Sequence, residues 1–459
     1  MQRNKYIYLT LMAVLGFHHE ALAQAIASAP KLVINITIDQ LRSDHLETFA
    51  PLYGADGFKR LLEQGRVYTN ASYNFTPVDR ASATAAIATG TTPYYNSIVA
   101  REWLDRSTLR PIHCVYDAQY GYSAARLTTS TIGDELKIST NGLSKVYSFA
   151  AEADAAILSA GHAADGAAWV HSARWKYADY YLPVSPWLNG YSRLFTCDTD
   201  INKALTDIAL HCIDNAGVGL DEKTDYITIT YPKSPTALEG YVSLDQQIGR
   251  LISTVESKFG HERVLFVLTG TGYTEEREEE REPRFRIPTG KFYINRTANL
   301  LNIYLGAIYG QAKYVETSFR NQIFLNHQIF DQKNINIDDA MRRAQEFLLQ
   351  VSGIRNVYTA TQLLTSESSR TERIRNGYSI ETCGDLLIEV APGWQLINED
   401  SAETQQIRAS YTPFPLVFYG INIKAEQVET PVTTDRIAPT IAKTIHIRAP
   451  NACTSEPLF

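Results

Sequence analysis

The sequence predicts an α/β fold: a mostly parallel central sheet with helices on both faces and an inserted cap region. β-Branched runs stop abruptly at polar residues, segments with helical spacing follow them, and the alternation returns along the chain. The composition agrees, with 459 residues, 44% of them hydrophobic, and 43 Lys plus Arg against 50 Asp plus Glu. That is enough apolar material for a deep core, and it excludes disordered and collagen-like chains. A net charge of −7 without a basic block argues against nucleic-acid binding, which needs clustered cations.

Taken in order, residues 1–23 read as an export signal. Arg3 and Lys5 precede an apolar run from Tyr6 to Phe17, and Ala21-Leu22-Ala23 precedes Gln24 as a small-x-small cleavage site. The run is shorter than the roughly 18 residues a membrane span needs, and no other segment approaches that length. The expected product is an exported protein of residues 24–459, periplasmic or secreted, with no transmembrane segment. Five cysteines remain (Cys114, Cys197, Cys212, Cys383 and Cys453), and the closeness of Cys197 to Cys212 allows a disulfide without fixing one.

Residues Lys31 to Ile38 (KLVINITI) form the first strand, followed by a polar loop and a helix over Gly57 to Gln64. Asp225 to Tyr231 and Val264 to Leu268 give two further strands. Between them Leu244, Ile248, Leu251, Ile252 and Val255 share one helical face. Later strands are predicted at Asp385 to Val390 and Pro415 to Tyr419, and helices near Arg296 to Tyr309 and Asp338 to Val351, the second closed by Gly353. Strand-helix-strand units need right-handed crossovers and give parallel pairing. Two regions depart from the pattern and read as insertions: the Tyr- and Trp-rich stretch of roughly 103–220, and the charged loop 275–286 (within EEREEEREPRFR), expected to be a solvated, salt-bridged surface segment rather than a partner-binding strip.

Ligands of open α/β sheets bind at the carboxyl ends of strands, which directs attention to Asp39. Arg42, Asp44 and His45 follow it in IDQLRSDHL. The segment NFTPVDRASATAAIATG then predicts a tightly packed Ala/Ser/Thr helix ending at Gly90.

Over most of the mature chain the sequence resembles the alkaline phosphatase superfamily, specifically its secreted, PafA-like phosphomonoesterases with a threonine nucleophile, and more distantly the nucleotide pyrophosphatase/phosphodiesterases. The resemblance rests on IDQLRSDHL, GFKRLLEQG, ATGTTP, IVAREW, AILSAGHAADGAAW, FVLTG, RTANLLNIYLGAIYGQ, IRNGYSIETCGDLLIEVAPGW, PLVFYG and DRIAPTIA. It implies an in-line displacement at phosphorus between two zinc ions about 4 Å apart. It also implies a Thr nucleophile at a helix N-terminus, Asp and His metal ligands, and an Asn with a Lys-x-Arg pair holding the phosphoryl oxygens.

Carried over residue by residue, that pattern finds one match, Asp39, at the first metal-binding aspartate. The nucleophile's place falls on Arg80, and a guanidinium is no phosphoryl acceptor. Ser82 and Thr84 stand nearby, reachable only by a shift of the helix. The Gly-Asn pair falls on Ala100-Arg101, and the Lys-x-Arg segment on Glu152-Ala153-Asp154, exchanging cations for anions. The second Asp-His pair falls on Thr271-Gly272, the stretch Thr230 to Leu238 holds no Asp or His, and the last His falls near Pro413. Zinc needs about four ligands in fixed geometry, so neither metal site is expected to form. His162 reads as a structural histidine, and His45 has the best chance of lying near Asp39.

A buried carboxylate without metal needs a partner. Arg80 is expected to point into the former metal pocket within about 6 Å of Asp39, with Arg101 as a further candidate. Three functions stay open. The first is a non-catalytic pseudo-phosphatase acting as a scaffold or binding protein. Trp169, Trp175, Tyr177, Tyr180, Tyr181 and Trp187 would then mark an unknown protein partner's interface or simply pack against the sheet. The second is a zinc-dependent phosphomonoesterase or phosphodiesterase. The third is a metal-free module binding a small anion through Arg42, Arg80 and Arg101. No cofactor is expected outside the zinc-dependent reading.

Overall fold

The computed structural model describes residues 28–181, 185–191, 195–196, 199–232, 237–273, 289–366, 368–406 and 413–459. The expected export signal, the charged loop 275–286 and Cys197 lie outside the described residues. Cys212 is a free buried thiol.

Among the described residues, ten strands form the central sheet. In chain order its principal members are β1 (Leu32–Ile38), β2 (Arg66–Ser72), β3 (Val146–Ala150), β4 (Gly166–His171), β5 (Arg174–Tyr177), β6 (Asp225–Tyr231), β7 (Val264–Gly270), β8 (Phe414–Gly420) and β9 (Glu426–Val428). Their spatial order is β9-β2-β8-β7-β1-β6-β3-β4-β5. The run β7-β1-β6-β3-β4 is parallel, whereas β8 and β5 pair antiparallel with β7 and β4. Every residue of β1, β6 and β7 is buried, as expected for strands covered on both faces. Alternation sorts their side chains: Leu32, Ile34 and Ile36 join one core with Ile227 and Phe266, and Val33 joins the other with Tyr226 and Leu265.

Helices packed on the sheet include α1 (Arg80–Thr89), α2 (Ala153–Ala160), α3 (Ile201–Asn215) and α4 (Ala237–Phe259). All ten residues of α1 are buried, and Gly90 closes it with φ +66°, a conformation that favours glycine. Small Ala, Ser and Thr side chains let α1 pack closely against α2. In α4 the predicted face, Leu244 to Val255, is buried against the sheet.

Several expectations need correction. The loop after β1 contains a short helix, Ser43–Phe49. The stretch 103–220 is not simply an insertion, because β3, α2, β4 and β5 lie within it and extend the central sheet. Its aromatic residues are spent on packing: Trp169, Trp175 and Tyr181 are buried, and Tyr177, Tyr180 and Trp187 are partly so. The strand near Asp385 to Val390 (Leu386–Val390) leaves the central sheet for a separate four-stranded one, whose own apolar core is shared with the helices Ile294–Tyr309 and Ile337–Leu348. That second helix ends at Leu348 with Leu349 as its cap, so Gly353, at φ +90°, belongs to the turn before Ile354–Thr359 instead.

Candidate functional site

The carboxyl edge of the parallel strands opens into a cleft of about 190 Å³ lined by Asp39, Gln40, Arg80, Arg101, Ala151, Glu152, Ala155, Thr230, Pro232 and Tyr273. Each element delivers its residue directly. Asp39 follows β1, and its backbone N–H donates to the Tyr231 carbonyl at the end of β6. Thr271 and Tyr273 follow β7, Glu152 and Asp154 follow β3 at the start of α2, and Arg80 opens α1.

Arg80 occupies the first turn of α1 because its neighbours fix the helix start. The Asp79 carboxylate accepts from the Ser82 N–H at 3.0 Å, and the Ser82 hydroxyl accepts from the Asp79 N–H at 2.9 Å. This reciprocal box satisfies helix-terminal donors. It also commits the Ser82 hydroxyl, while the Thr84 hydroxyl is buried without a hydrogen-bond partner. The helix shift needed to bring either hydroxyl into the cleft does not occur.

The Arg80 guanidinium turns into the cleft and meets three carboxylates. Asp154 is the nearest, with Nη2–Oδ1 at 3.0 Å and Nε within 3.3 Å of both oxygens. Asp39 follows, with Nη1–Oδ2 at 3.5 Å, and Glu152 stands 3.8 Å from Nη2. Asp154 is 1% exposed and Asp39 5%, whereas the Glu152 side chain reaches solvent. Burial opposes the charge on Arg80, but Asp154 and Asp39 outweigh it and hold the guanidinium protonated beyond its ordinary range. Burial raises the Asp39 carboxyl above its usual pKa, although Arg80, Thr271 and Tyr273 all pull it back.

Thr271 relays a hydrogen-bond chain: its hydroxyl accepts from the Gln40 N–H at 2.8 Å and donates to Asp39 Oδ1 at 2.9 Å. The Tyr273 hydroxyl approaches Asp39 Oδ2 at 3.4 Å. Gly272 has φ +67°, and a Cβ there would lie 2.6 Å from the Phe414 ring and 2.7 Å from Tyr73. That position has no room for a histidine. Pro413 is exposed, and its carbonyl accepts from the Ser43 N–H.

The two-zinc arrangement implied by the resemblance does not fit these residues. At the position to which the resemblance assigns the first ligand, Asp39 carries a carboxylate, and a fixed positive charge lies 3.5 Å from it. Thr271 offers a neutral hydroxyl where a carboxylate is required, and Gly272 offers nothing. The neighbouring anions do not restore a phosphate cradle, since Glu152 and Asp154 face the cation that an anionic ligand would use.

Other expected residues are placed differently. Arg42 pairs with Asp44 at 2.5 Å, away from the Arg80 network. His45 packs on Phe49 and Tyr241, with ring centroids 5.6 and 5.5 Å away, rather than serving Asp39. Arg101, weighed as a partner of Asp39, instead approaches Asp154 at 3.8 Å, and its backbone N–H donates to Asp79. His162 is a structural residue held between Asp134 Oδ2 and the Leu127 carbonyl, each at 2.9 Å. Sequence reasoning missed Asp154 as the principal partner of Arg80. The available signal was reciprocal: a cation stands where the resemblance implies a neutral nucleophile, and an anion where it implies a cation. The hydrogen bonds of Thr271 and Tyr273 had no such signal.

Comparison with known proteins places this geometry in context. Residues 33–412 match the family described as type I phosphodiesterase / nucleotide pyrophosphatase. A Myroides odoratus protein named calcium-transporting ATPase is 24% identical over 96% of both chains. Alkaline phosphatase PafA of Elizabethkingia meningoseptica is 23% identical over 94% of both. The crystal structure of wild-type PafA superposes with a TM-score of 0.81 at 21% identity, covering 94% of this chain and 98% of that one. Murine ectonucleotide pyrophosphatase / phosphodiesterase 5 gives 0.53 at 13% identity, over 91% and 95% of the two chains. At these identities the structural likeness concerns the fold.

Proposed function

The chain belongs to the type I phosphodiesterase / nucleotide pyrophosphatase family, and from that membership and its altered cleft we propose that it is a non-catalytic member, an exported scaffold or binding protein. The reading is carried by one observation: Arg80, at the helix N-terminus where the resemblance puts a nucleophile, is bound by Asp154 and Asp39. A nucleophile must present a lone pair to phosphorus, and a protonated guanidinium has none to give. Export rests on the pattern of residues 1–23.

The curated names of the relatives favour a second reading, a phosphoric ester hydrolase. It requires metal ligands at Thr271, Gly272 and Pro413, and the side chains there supply none. The anion-binding reading is weakened by the same carboxylates, which already use the Arg80 charge, and by the Arg42–Asp44 pair.

Turnover of an aryl phosphate monoester and diester by the mature protein, with excess zinc added, tests the proposal. No hydrolysis above that of an Arg80→Ala control is the expected result. Saturable zinc-dependent turnover would restore the hydrolase reading.

A further inference from the structure

The helix Ile294–Tyr309 carries two apolar faces, and the four-stranded sheet beside it covers one. Ile294, Ala298, Leu301 and Leu305 are buried in that core. On the side turned away, Leu300, Ile303, Tyr304, Ala307 and Ile308 follow one another at helical spacing. Leu300 is 52% exposed, Ile303 68% and Ile308 39%, and Ala307 is exposed with them. Tyr304 carries the stripe sideways by stacking on Phe347 of the helix Ile337–Leu348, ring centroids 4.4 Å apart. Helices apolar on all sides belong in interiors, and a contiguous exposed apolar face marks an interaction surface.

Two properties of this face select its occupant. The first is the order of side-chain sizes. The stripe is centred between Ile303 and Tyr304, so a copy of the helix laid antiparallel on it sets Leu300 of each copy against Ala307 of the other. A large side chain then meets a small one at both ends, and Gly306, where a Cβ would meet nothing within 4 Å, lets the backbones approach. The second property is charge. In the first turn Asn295 donates to Glu399 at 3.3 Å and to Asp400 at 3.4 Å, and Arg296 pairs with Glu399, so two carboxylates stand there against one guanidinium. At the last turn the Lys333 ammonium donates to the Tyr309 carbonyl at 3.3 Å. The same antiparallel arrangement brings Lys333 of each copy to the acidic end of the other. We propose that this face joins two copies of the chain in an isologous dimer, with Leu300 seated on Ala307 and Lys333 beside Asp400 across the twofold axis. A helix of 16 residues is about 24 Å long and about 10 Å wide, so its face falls well short of the roughly 800 Å² per partner of a standard interface. The dimer is therefore a dissociable one, formed in the micromolar range. The face lies away from the carboxyl edge of the central sheet, so the inference does not depend on the non-catalytic reading.

Sedimentation velocity of the mature protein between about 1 and 200 µM tests this, and the mass should rise from one chain towards two. Ile303→Glu should stay monomeric over the whole range. Ala307→Trp separates a fitted interface from an adhesive patch, because it enlarges the apolar face while filling the seat of Leu300. It should weaken the dimer at least about tenfold. Asp400→Lys and Lys333→Glu should each weaken it about three- to tenfold, and the double reversal should return it to within about threefold of wild type. All four positions are exposed, so each variant should melt within about 2 °C of wild type, which keeps loss of pairing distinct from loss of fold.

A wild type that is monomeric at every concentration would overturn the proposal, and would do so equally if it bound anionic phospholipid vesicles or another protein through Ile303. A dimer that survives Ile303→Glu, or that Ala307→Trp strengthens, would overturn it as well. So would a double charge reversal that pairs no better than either single change. Zinc-dependent turnover by a dimeric wild type would sink the non-catalytic reading and leave this inference standing.

Discussion

Arg80 and Asp154 face each other across the N-termini of two packed helices, guanidinium against carboxylate at 3.0 Å, each buried and each in the other's best position to be neutralised. Both lie where the family resemblance implies other chemistry. Their pairing makes the two departures one coupled change, since a buried ion loses much of its stabilisation when its partner is removed alone.

That coupling gives the first prediction. Asp154→Leu leaves Arg80 with Asp39 and Glu152 at longer range and should destabilise the protein by about 3–5 kcal/mol, whereas Arg80→Met/Asp154→Leu, which also strips Asp39 of its cation, should lose less than the sum of the Arg80→Met and Asp154→Leu losses. Urea unfolding of Arg80→Met, Asp154→Leu and the double variant closes the cycle. A loss in the double variant equal to the sum of the two single losses would show that the ion pair contributes no coupling.

Thr271→Val removes the hydroxyl that links the Gln40 N–H to Asp39 while keeping the volume. The change should cost about 1–3 kcal/mol, because it strands a buried donor and weakens the support of a buried carboxylate. It should also raise the Asp39 pKa further, since a hydrogen bond to the charged form is lost. Carboxyl titration followed by NMR would show that shift, and an unchanged titration would contradict the relay.

Gly272→His should not restore a metal ligand. The backbone at φ +67° costs a non-glycine residue about 1–3 kcal/mol, and the Phe414 and Tyr73 rings block the side chain. A lower melting temperature with no zinc uptake is expected, and zinc uptake at wild-type stability would show that the rings yield.

His162 and Asp134 set a pH dependence. The hydrogen bond to Asp134 raises the His162 pKa even against burial, so its contribution is fully present below the unfolded value of about 6.5 and is lost as pH rises through the folded value. Burial alone would raise Asp134, but the His162 hydrogen bond and backbone donors bring it below the ordinary range. Its contribution is present above about 3.9 and lost as pH falls through the folded value. Replacing His162 with Gln should remove the loss of stability that sets in as pH rises above about 6.5. A profile identical to wild type there would rule out the linkage.

Much of the architecture was legible because its strongest signals are local. The β-branched run of β1, the long amphipathic α4 and the small-residue helix α1 closed by Gly90 each carry their own period or cap. The strands of 146–177 were hidden because VYSFA and GAAWVH are short and partly built of Ala, Gly and Ser, which carry little strand signal. The second sheet was also obscured, since half-buried strands such as VETSF show no clean alternation. At the site, Asp39 was visible from its place after β1. The direction of Arg80 followed from the need of a buried carboxylate for a partner, but its preference for Asp154 depends on how closely α1 approaches α2, which residue spacing does not encode.

The most direct measurement is the zinc stoichiometry of the mature protein after purification in zinc-containing medium, read by elemental mass spectrometry. With Arg80 holding the cation position and no ligand side chain at Thr271, Gly272 or Pro413, the account predicts no stoichiometric zinc. About two tightly held zinc ions per chain, the number a two-metal phosphoryl-transfer site requires, would contradict it.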